Sequence, residues 1–416
     1  MEAIQKTISP FLSSNITADS VSTYLSGCIS YLQQHPDFDS FNRLHFLTQL
    51  ALPLQRHFGK LVTDLQLDLN TTDGVLNYKA ADIFSPDALN LQAFPGGKNY
   101  SNTALVQLGK QLFFEPGLSG NNKVSCVTCH DPAKHFTDGL PKSLTIDGHS
   151  HVARNAASLL YAGYQYGQFW DGRAKSVEEQ VKTVLNNEQE MNGGEIVISA
   201  LLARKTYYKI VLDSIFPASI DSINITEKVA MALAAYVRTL NFRNGRFDQY
   251  LQGNATVLTT HEIDGFNLFM GKAQCGTCHF APLFNGLTPP LYNLSELEVL
   301  GTTSTDNLLK PELDSDAGRI RIFPISYYDK AFKTPTVRNT SATGPYMHNG
   351  AFKTLEAVIE FYNKGGAVGM GLSLPNQTLS ARPLNLSKEE VSDIISFLHT
   401  LEDKIPNQGP VTFSTK

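Results

Sequence analysis

Cys126-Val127-Thr128-Cys129-His130 and Cys275-Gly276-Thr277-Cys278-His279 share one spacing, Cys-x-x-Cys-His. That spacing is the attachment signature of a c-type haem. Each thiol forms a thioether to a haem vinyl group, and the histidine that follows becomes the proximal ligand of the iron. A bare Cys-x-x-Cys also suits a redox dithiol or half of a zinc site. Here a histidine abuts both copies, and the two copies take four of the five cysteines. The pattern therefore reads as two covalently bound haem c groups, on Cys126, Cys129 and His130 and on Cys275, Cys278 and His279.

Working outward, the surroundings of the two motifs also recur. Gly109-Lys110-Gln111-Leu112-Phe113 precedes the first, and Gly265-Phe266-Asn267-Leu268-Phe269 precedes the second. Arg154-Asn155 follows the first, and Arg338-Asn339 the second. Trp170-Asp171-Gly172-Arg173-Ala174-Lys175-Ser176-Val177-Glu178 can be laid on His348-Asn349-Gly350-Ala351-Phe352-Lys353-Thr354-Leu355-Glu356. In that register Gly, Lys, a hydroxyl residue, an aliphatic and Glu match. Two copies are too few for a solenoid, so this is a duplication. The expected fold is mainly α: two cytochrome c-like haem domains, related by a pseudo-twofold, plus an N-terminal helical extension. The expected boundaries are 1–95 for the extension, 96–255 for the first haem domain and 256–416 for the second. The C-terminal helices are free to pack back on the first.

Helix-spaced apolar residues run from Val21 to Leu32 and from Phe41 to Leu67, with a break at Asn70-Thr71-Thr72-Asp73-Gly74. His35, His45 and His57 lie in this region without ligand-like spacing, and Cys28 reads as a buried, inert thiol. A helix is expected from Asn102 to Phe114, with Leu105, Leu108, Leu112 and Phe113 on one face. A long irregular section then runs past the first motif to Gly148. Both halves next enter a helix at a hydroxyl residue, and Ser176 with Glu179 reads as a capping box. In the second half Leu355, Val358, Ile359 and Tyr362 share one helical face. The repeat breaks at Tyr362, which falls opposite Val184. A phenol can bind ferric iron and a valine cannot. The second haem would then be capped and the first left open. Taken alone Tyr362 reads as a core tyrosine, and Met347 and His348 are rival ligands.

Composition bounds the rest. A chain of 416 residues with 42% hydrophobic content can form two or three cores. A net charge of -5 argues against nucleic acid as a partner. No run approaches the ~20 apolar residues of a membrane span. Met1 to Ser20 lacks a basic stretch followed by an apolar core, so no signal peptide is visible. Haem is normally attached outside the cytoplasmic membrane. The expectation is a trimmed chain in the periplasm, or one anchored on the outer side of the membrane through a segment not present here.

From Leu105 to Leu401 the chain resembles the bacterial di-haem cytochrome c peroxidases and the related MauG proteins. The resemblance rests on both Cys-x-x-Cys-His motifs and on Phe169-Trp170-Asp171-Gly172-Arg173 and Glu190-Met191. Lys333-Thr334-Pro335-Thr336-Val337-Arg338-Asn339 and Asn349-Gly350-x-Phe352-x-Thr354-Leu355 complete it. The N-terminal unit lies outside this common core. The resemblance implies that the haem on His130 is peroxidatic, with Gln180 and Glu190 as its distal pair. It implies that Trp170, the single tryptophan, relays electrons between the haems. Tyr362 matches the sixth-ligand position of the second haem, which is Met in classical peroxidases and Tyr in the MauG-like branch. Asn155, Thr343 and Pro345 match a calcium site between the haems, of carbonyl and amide oxygens. Val184 stands where the family usually has Pro in a gating loop, so a continuous helix is expected there. His149 and His151 are candidates for a loop ligand to the peroxidatic iron in the fully oxidised enzyme.

The implied partners are hydrogen peroxide and a small cytochrome c or cupredoxin donor, with a homodimer as a further expectation. Two other readings compete. One is a MauG-like oxidase that modifies a protein or small substrate. The other is an electron-transfer or sensor cytochrome, which needs both irons permanently six-coordinate.

Overall fold

Two crossed helix pairs, one in each half, organise the molecule. The computed structural model describes residues 1–12, 16–68, 74–99, 102–216 and 223–409. The expected break at Asn70–Asp73 lies outside them. The first half contains α5 (Thr103–Phe113), α6 (Cys126–Cys129), α7 (Val177–Asn186), α8 (Gly194–Arg204), α9 (Thr206–Ile215), α10 (Ile225–Arg238) and α11 (Arg246–Leu251). The second contains α12 (Thr260–Met270), α13 (Leu355–Asn363), α14 (Gly366–Gly369) and α15 (Lys388–Thr400). Ahead of both stand α1 (Glu2–Ile8), α2 (Ile16–Gln34), α3 (Arg43–His45) and α4 (Leu52–Asp64), the last two joined by a π-helical stretch, Phe46–Ala51. Among the described residues the only sheet is one antiparallel pair, β1 (Leu297–Glu298) with β2 (Phe332–Lys333).

The repeated Gly-x-x-Leu-Phe has a packing explanation. Helix α5 crosses α10 at Gly109, where a Cβ would stand 1.8 Å from the carbonyl oxygen of Ala232. Helix α12 crosses α15 at Gly265, where a Cβ would stand 1.9 Å from the carbonyl oxygen of Asp393. Backbone meets backbone at both crossings, so only glycine fits. Four residues on, Phe113 meets Tyr236 and Phe269 meets Phe397, both with ring centroids 5.3 Å apart. The aromatic partners on α10 and α15 extend the duplication to helices in which sequence alone showed no repeat.

Local signals set the helix starts. Asn102 Oδ1 accepts the Leu105 N–H and caps α5. Leu105, Leu108, Leu112 and Phe113 are buried, the face expected. Helices α7 and α13 start at matched caps, with Ser176 Oγ accepting from Glu179 N and Thr354 Oγ1 from Ala357 N. The reciprocal half of the box differs from expectation: the Glu179 carboxylate takes the Lys175 N–H, one residue upstream of the cap. Helix α7 runs unbroken through Val184 to Asn186. Valine keeps the N–H that a proline would remove.

The cores do not follow the chain order strictly. The first gathers α5, α8 and α10 but also Val75, Leu89, Leu91 and Phe94 from ahead of α5, and Leu283, Leu287 and Tyr292 from the second half. The second is an aromatic nest of Phe247, Phe266, Phe269, Phe284 and Phe397. Leu44 and Leu52 of the N-terminal helices complete it. Those helices keep a small core of their own around Val21, Leu25 and Leu61, and Cys28 is buried on α2. Docking onto α12 is reinforced by Leu44 N–H donating to Asn267 Oδ1 at 3.0 Å.

Candidate active site

Each Cys-x-x-Cys-His forms one tight turn that ends on its histidine. In the first, Ser125 begins the turn and Thr128 Oγ1 accepts its N–H. His130 N–H closes back on Cys126 O at 2.9 Å. In the second, His279 N–H closes on Cys275 O, also at 2.9 Å. Both imidazoles are then fixed by their Nδ1–H. That of His130 donates to Phe136 O at 3.0 Å. That of His279 donates to Pro335 O at 3.0 Å and, more weakly, to Phe284 O at 3.3 Å. A donating Nδ1–H leaves the Nε2 lone pair for a metal and fixes the ring orientation. Burial pushes both imidazoles below their ordinary value, His279 to about 4, so the rings are neutral.

Phe136 and Phe284 had not been singled out from sequence. Both are buried, and both hold positive φ, 59° and 51°. The strained turn aims each carbonyl back at the histidine. A phenylalanine a few residues after each motif was the available signal.

The donor sets fit covalently attached haem better than zinc. All four thiols are free rather than paired in disulfides. Burial pushes Cys126, Cys275 and Cys278 up to about 12. Among the described residues the only three His, Cys, Asp or Glu side chains that converge closely enough to hold a metal ion are Cys278, Glu296 and Glu298. The two cysteines and the histidine of neither motif meet at one point, as a zinc site would require.

Around the first motif, Glu190 is half-buried and its carboxylate accepts from Asn187 Nδ2 at 2.8 Å. Burial raises its proton affinity, with Arg173 opposing. Its charge is also felt at the Cys129 thiol, which places Glu190 beside this motif. Gln180 lies half-buried on α7, one turn before Val184. Around the second motif, Tyr362 lies on α13. Burial raises its phenol, and Cys275, Cys278 and Glu298 add to the effect, which places the phenol beside this motif. His348 is engaged elsewhere: its ring stacks on Phe332 at 3.7 Å and its Nε2 shares a proton with Asp314 at 3.1 Å. Met347, in the same turn, has a φ of 70°.

Trp170 stands in the seam between the halves. Its Nε1–H donates to Asn155 O at 2.9 Å, and its own carbonyl accepts the Lys333 N–H at 2.7 Å. The loop is clamped by charge. Asp171 takes Arg154 and Arg173, and Arg154 reaches across to Asp316. Lys333 is half-buried here, and its ammonium donates to neutral acceptors, Gln165 Oε1 and Gly167 O. Burial lowers its ammonium to about 8, with Asp171 opposing.

The two loop histidines lie on the surface. His149 and His151 are exposed, and His151 Nδ1 is held by Lys142 O at 2.8 Å. Asn155 is tied by its N–H to His348 O at 2.8 Å, in the segment that follows Thr343 and Pro345. Asn155 Oδ1 and the carbonyls of Thr343 and Pro345 take no hydrogen bond from the described protein.

Comparison with known proteins gives the chain its relatives. Residues 103–256 match the family model of the di-haem cytochrome c peroxidases. Over 327 residues the chain is 32% identical to the cytochrome-c peroxidase IdrP2 of Denitromonas iodatirespirans, covering 75% of this chain and 84% of that protein. The chain belongs to the di-haem cytochrome c peroxidase and MauG family. Another relative in this family is the methylamine utilization protein MauG of Methylorubrum extorquens. It is 32% identical over 300 residues, 71% of this chain and 78% of that one. Among solved structures, a MauG-like protein associated with microbial copper homeostasis superposes with a TM-score of 0.61 at 28% identity. It covers 73% of this chain and 90% of its own. The diheme peroxidase BthA of Burkholderia thailandensis shares the fold, with a TM-score of 0.60 at 23% identity over 73% of this chain and 86% of its own. Family membership makes this chain a haem-dependent oxidoreductase of the peroxidase type, and the mainly α fold is the family's. No helix among the described residues is long and apolar enough to cross a membrane.

Proposed function

We propose that the chain reduces hydrogen peroxide to water at a haem held by Cys126, Cys129 and His130, drawing electrons through a second haem held by Cys275, Cys278 and His279. When bound, the first haem supplies an iron at which the O–O bond of peroxide is broken, and the second stores an electron. The chain's own residues do the rest. Glu190, a half-buried carboxylate with raised proton affinity, moves a proton from the inner to the outer oxygen of peroxide as general acid/base. Gln180 holds peroxide or water by its amide. Trp170, bonded to both halves, carries electrons across the seam. Tyr362 closes the second site. Asn155, Thr343 and Pro345 offer neutral oxygens to a calcium ion. His149 and His151 are the loop residues that could close the first site in the oxidised protein.

The observation that carries this reading is the broken match between α7 and α13. The two helices share cap and register, yet Val184 stands where Tyr362 does. One side chain can ligate iron and the other cannot. The same contrast weighs against a cytochrome that only transfers electrons. Haem attachment supports a location outside the cytoplasmic membrane, in the periplasm, where a small cytochrome c or cupredoxin would be the donor. The tyrosine also favours a second reading, a MauG-like oxidase that modifies a protein or small substrate. An anionic phenolate stabilises ferric iron and eases access to a high oxidation state. Rapid peroxide turnover with a reduced donor protein separates the two.

The test is low-temperature EPR of wild type and Tyr362→Phe, fully oxidised and half-reduced. We expect a high-spin signal in both oxidised proteins, with only the low-spin signal altered by the substitution. Two low-spin signals in wild type, one turning high-spin on half-reduction, would put a loop histidine on the first iron. An unchanged low-spin signal in Tyr362→Phe would remove tyrosine from the second.

A further inference from the structure

We propose that Tyr161 is a proton-coupled electron donor to the haem pair, with Asp403 as its proton acceptor. The proposal rests on the peroxidase reading above, since peroxide supplies the oxidant.

The geometry is that of a phenol built to be oxidised. Tyr161 is among the largest fully buried side chains, and its O–H donates to Asp403 Oδ2 at 2.5 Å. Asp403 is itself buried and comes from the chain segment after α15. The carboxylate is held from other sides too: Asn339 Nδ2 donates to Oδ2 at 2.9 Å and Asn244 N–H to Oδ1 at 3.1 Å. The phenolic oxygen also accepts the Arg243 N–H at 3.0 Å. Burial keeps the phenol protonated. Losing an electron makes a phenol a very strong acid, so oxidation in a buried site needs a base already in contact. Asp403 is such a base. Trp170 differs, because its N–H meets only a carbonyl, which cannot take a proton.

Tyr161 also lies between the proximal sides of the two sites. Three residues before it, Ser158 Oγ donates to His135 O at 2.6 Å, next to the Phe136 carbonyl that holds His130. On the other side a single guanidinium, that of Arg338, lies 5.7 Å from the Tyr161 ring centroid and 5.7 Å from that of Phe284. The Phe284 carbonyl accepts from His279. Arg338 is neutralised by a two-point contact with Asp248, so it does not place an unpaired cation beside the ring.

The step balances. With the haems bound, hydrogen peroxide would draw two electrons from them, its O–O bond breaking and two protons from solvent completing the water. The Tyr161 O–H bond breaks, its proton passes to Asp403 Oδ2 and gives a carboxylic acid, and its electron returns one of the two to the haem pair. A neutral phenoxyl radical remains. An electron from the donor protein and the proton on Asp403 restore the phenol. The residue thus drains oxidising power when peroxide arrives and no donor is docked.

The experiment is rapid-freeze EPR of the holoprotein after one equivalent of hydrogen peroxide without reductant, using wild type, Tyr161→Phe and Asp403→Asn. We expect a narrow organic-radical signal in wild type that narrows further when tyrosines are ring-deuterated, and its loss in Tyr161→Phe. Asp403→Asn keeps an acceptor oxygen but cannot take the proton, so the signal should be lost there too, with the phenol still in place. That loss is not expected if the contact merely pins the chain. It also carries the test if Tyr161→Phe fails to fold. A tyrosyl signal that survives in either variant refutes the proposal. Peroxide consumption by wild type with no radical refutes it alone, whereas a wild type inert to peroxide refutes both it and the peroxidase reading.

Discussion

Replacing Glu190 with Gln separates catalysis from stability at the first site. The amide matches the carboxylate in size and can still accept the Asn187 Nδ2–H that Glu190 takes at 2.8 Å. What it cannot do is carry a proton. A positioned general acid/base contributes about 10²–10⁴-fold to rate, or about 3–5 kcal/mol of barrier. Because burial raises the Glu190 carboxyl, the anion that begins the proton transfer is the disfavoured form. The acid limb of kcat/KM should therefore lie above the ordinary carboxylate range, and it should vanish in Glu190→Gln. Stability should move the other way. A carboxyl raised in the folded state favours folding at low pH and loses that contribution as pH rises through its folded value. The glutamine carries no such penalty, so at neutral pH the variant should be at least as stable as wild type. The assay is stopped-flow reaction of the half-reduced holoprotein with peroxide across pH, beside urea unfolding of the same samples. Activity retained within about threefold, with the acid limb still present, would show that Glu190 is not the proton carrier.

Three further outcomes follow from the geometry. Gly265→Ala should destabilise the second half of the chain by about 2 kcal/mol net: the obstructing atom is backbone at 1.9 Å, which puts overpacking at the upper end of its range, about 3 kcal/mol, and alanine's better helix propensity returns about 1. Urea unfolding followed by haem absorption should show it, and a neutral substitution would mean the helices do not cross at this glycine. His348 holds the Asp314 carboxyl well below its ordinary value by a hydrogen bond; the resulting stability is present above the ordinary carboxylate range and lost as pH falls towards the folded value, so His348→Ala should flatten the acid end of the stability profile. Trp170→Phe should leave peroxide binding intact but slow electron transfer between the haems, and should cost about 1 kcal/mol of stability for the lost hydrogen bond to Asn155 O; unaltered inter-haem transfer in flash photolysis would count against the relay.

The two Cys-x-x-Cys-His motifs could be read from the chain because their spacing is local. A thioether pair and its proximal histidine must be neighbours, so Cys-x-x-Cys-His declares itself within five residues. Helix caps and the buried face of α5 are equally local, set by Asn102 and by a period of 3.6 residues. The duplication could be seen where it governs such local features, and its break at Tyr362 against Val184 pointed to unlike sites before any coordinates. The glycines at 109 and 265 were visible as a repeat, but their purpose was not. Their partners, Ala232 and Asp393, lie more than a hundred residues away. The carbonyls of Phe136 and Phe284 escaped notice because any residue can supply a carbonyl, and only the turn aims it. His348 looked free for iron until Phe332 and Asp314 were found against it. The contact between Tyr161 and Asp403 spans 242 residues and has no sequence pattern. Spacing along a chain records what neighbouring atoms must do together, whereas burial and long-range hydrogen bonds depend on which distant segments the cores draw into contact, and that is decided only when the chain has folded.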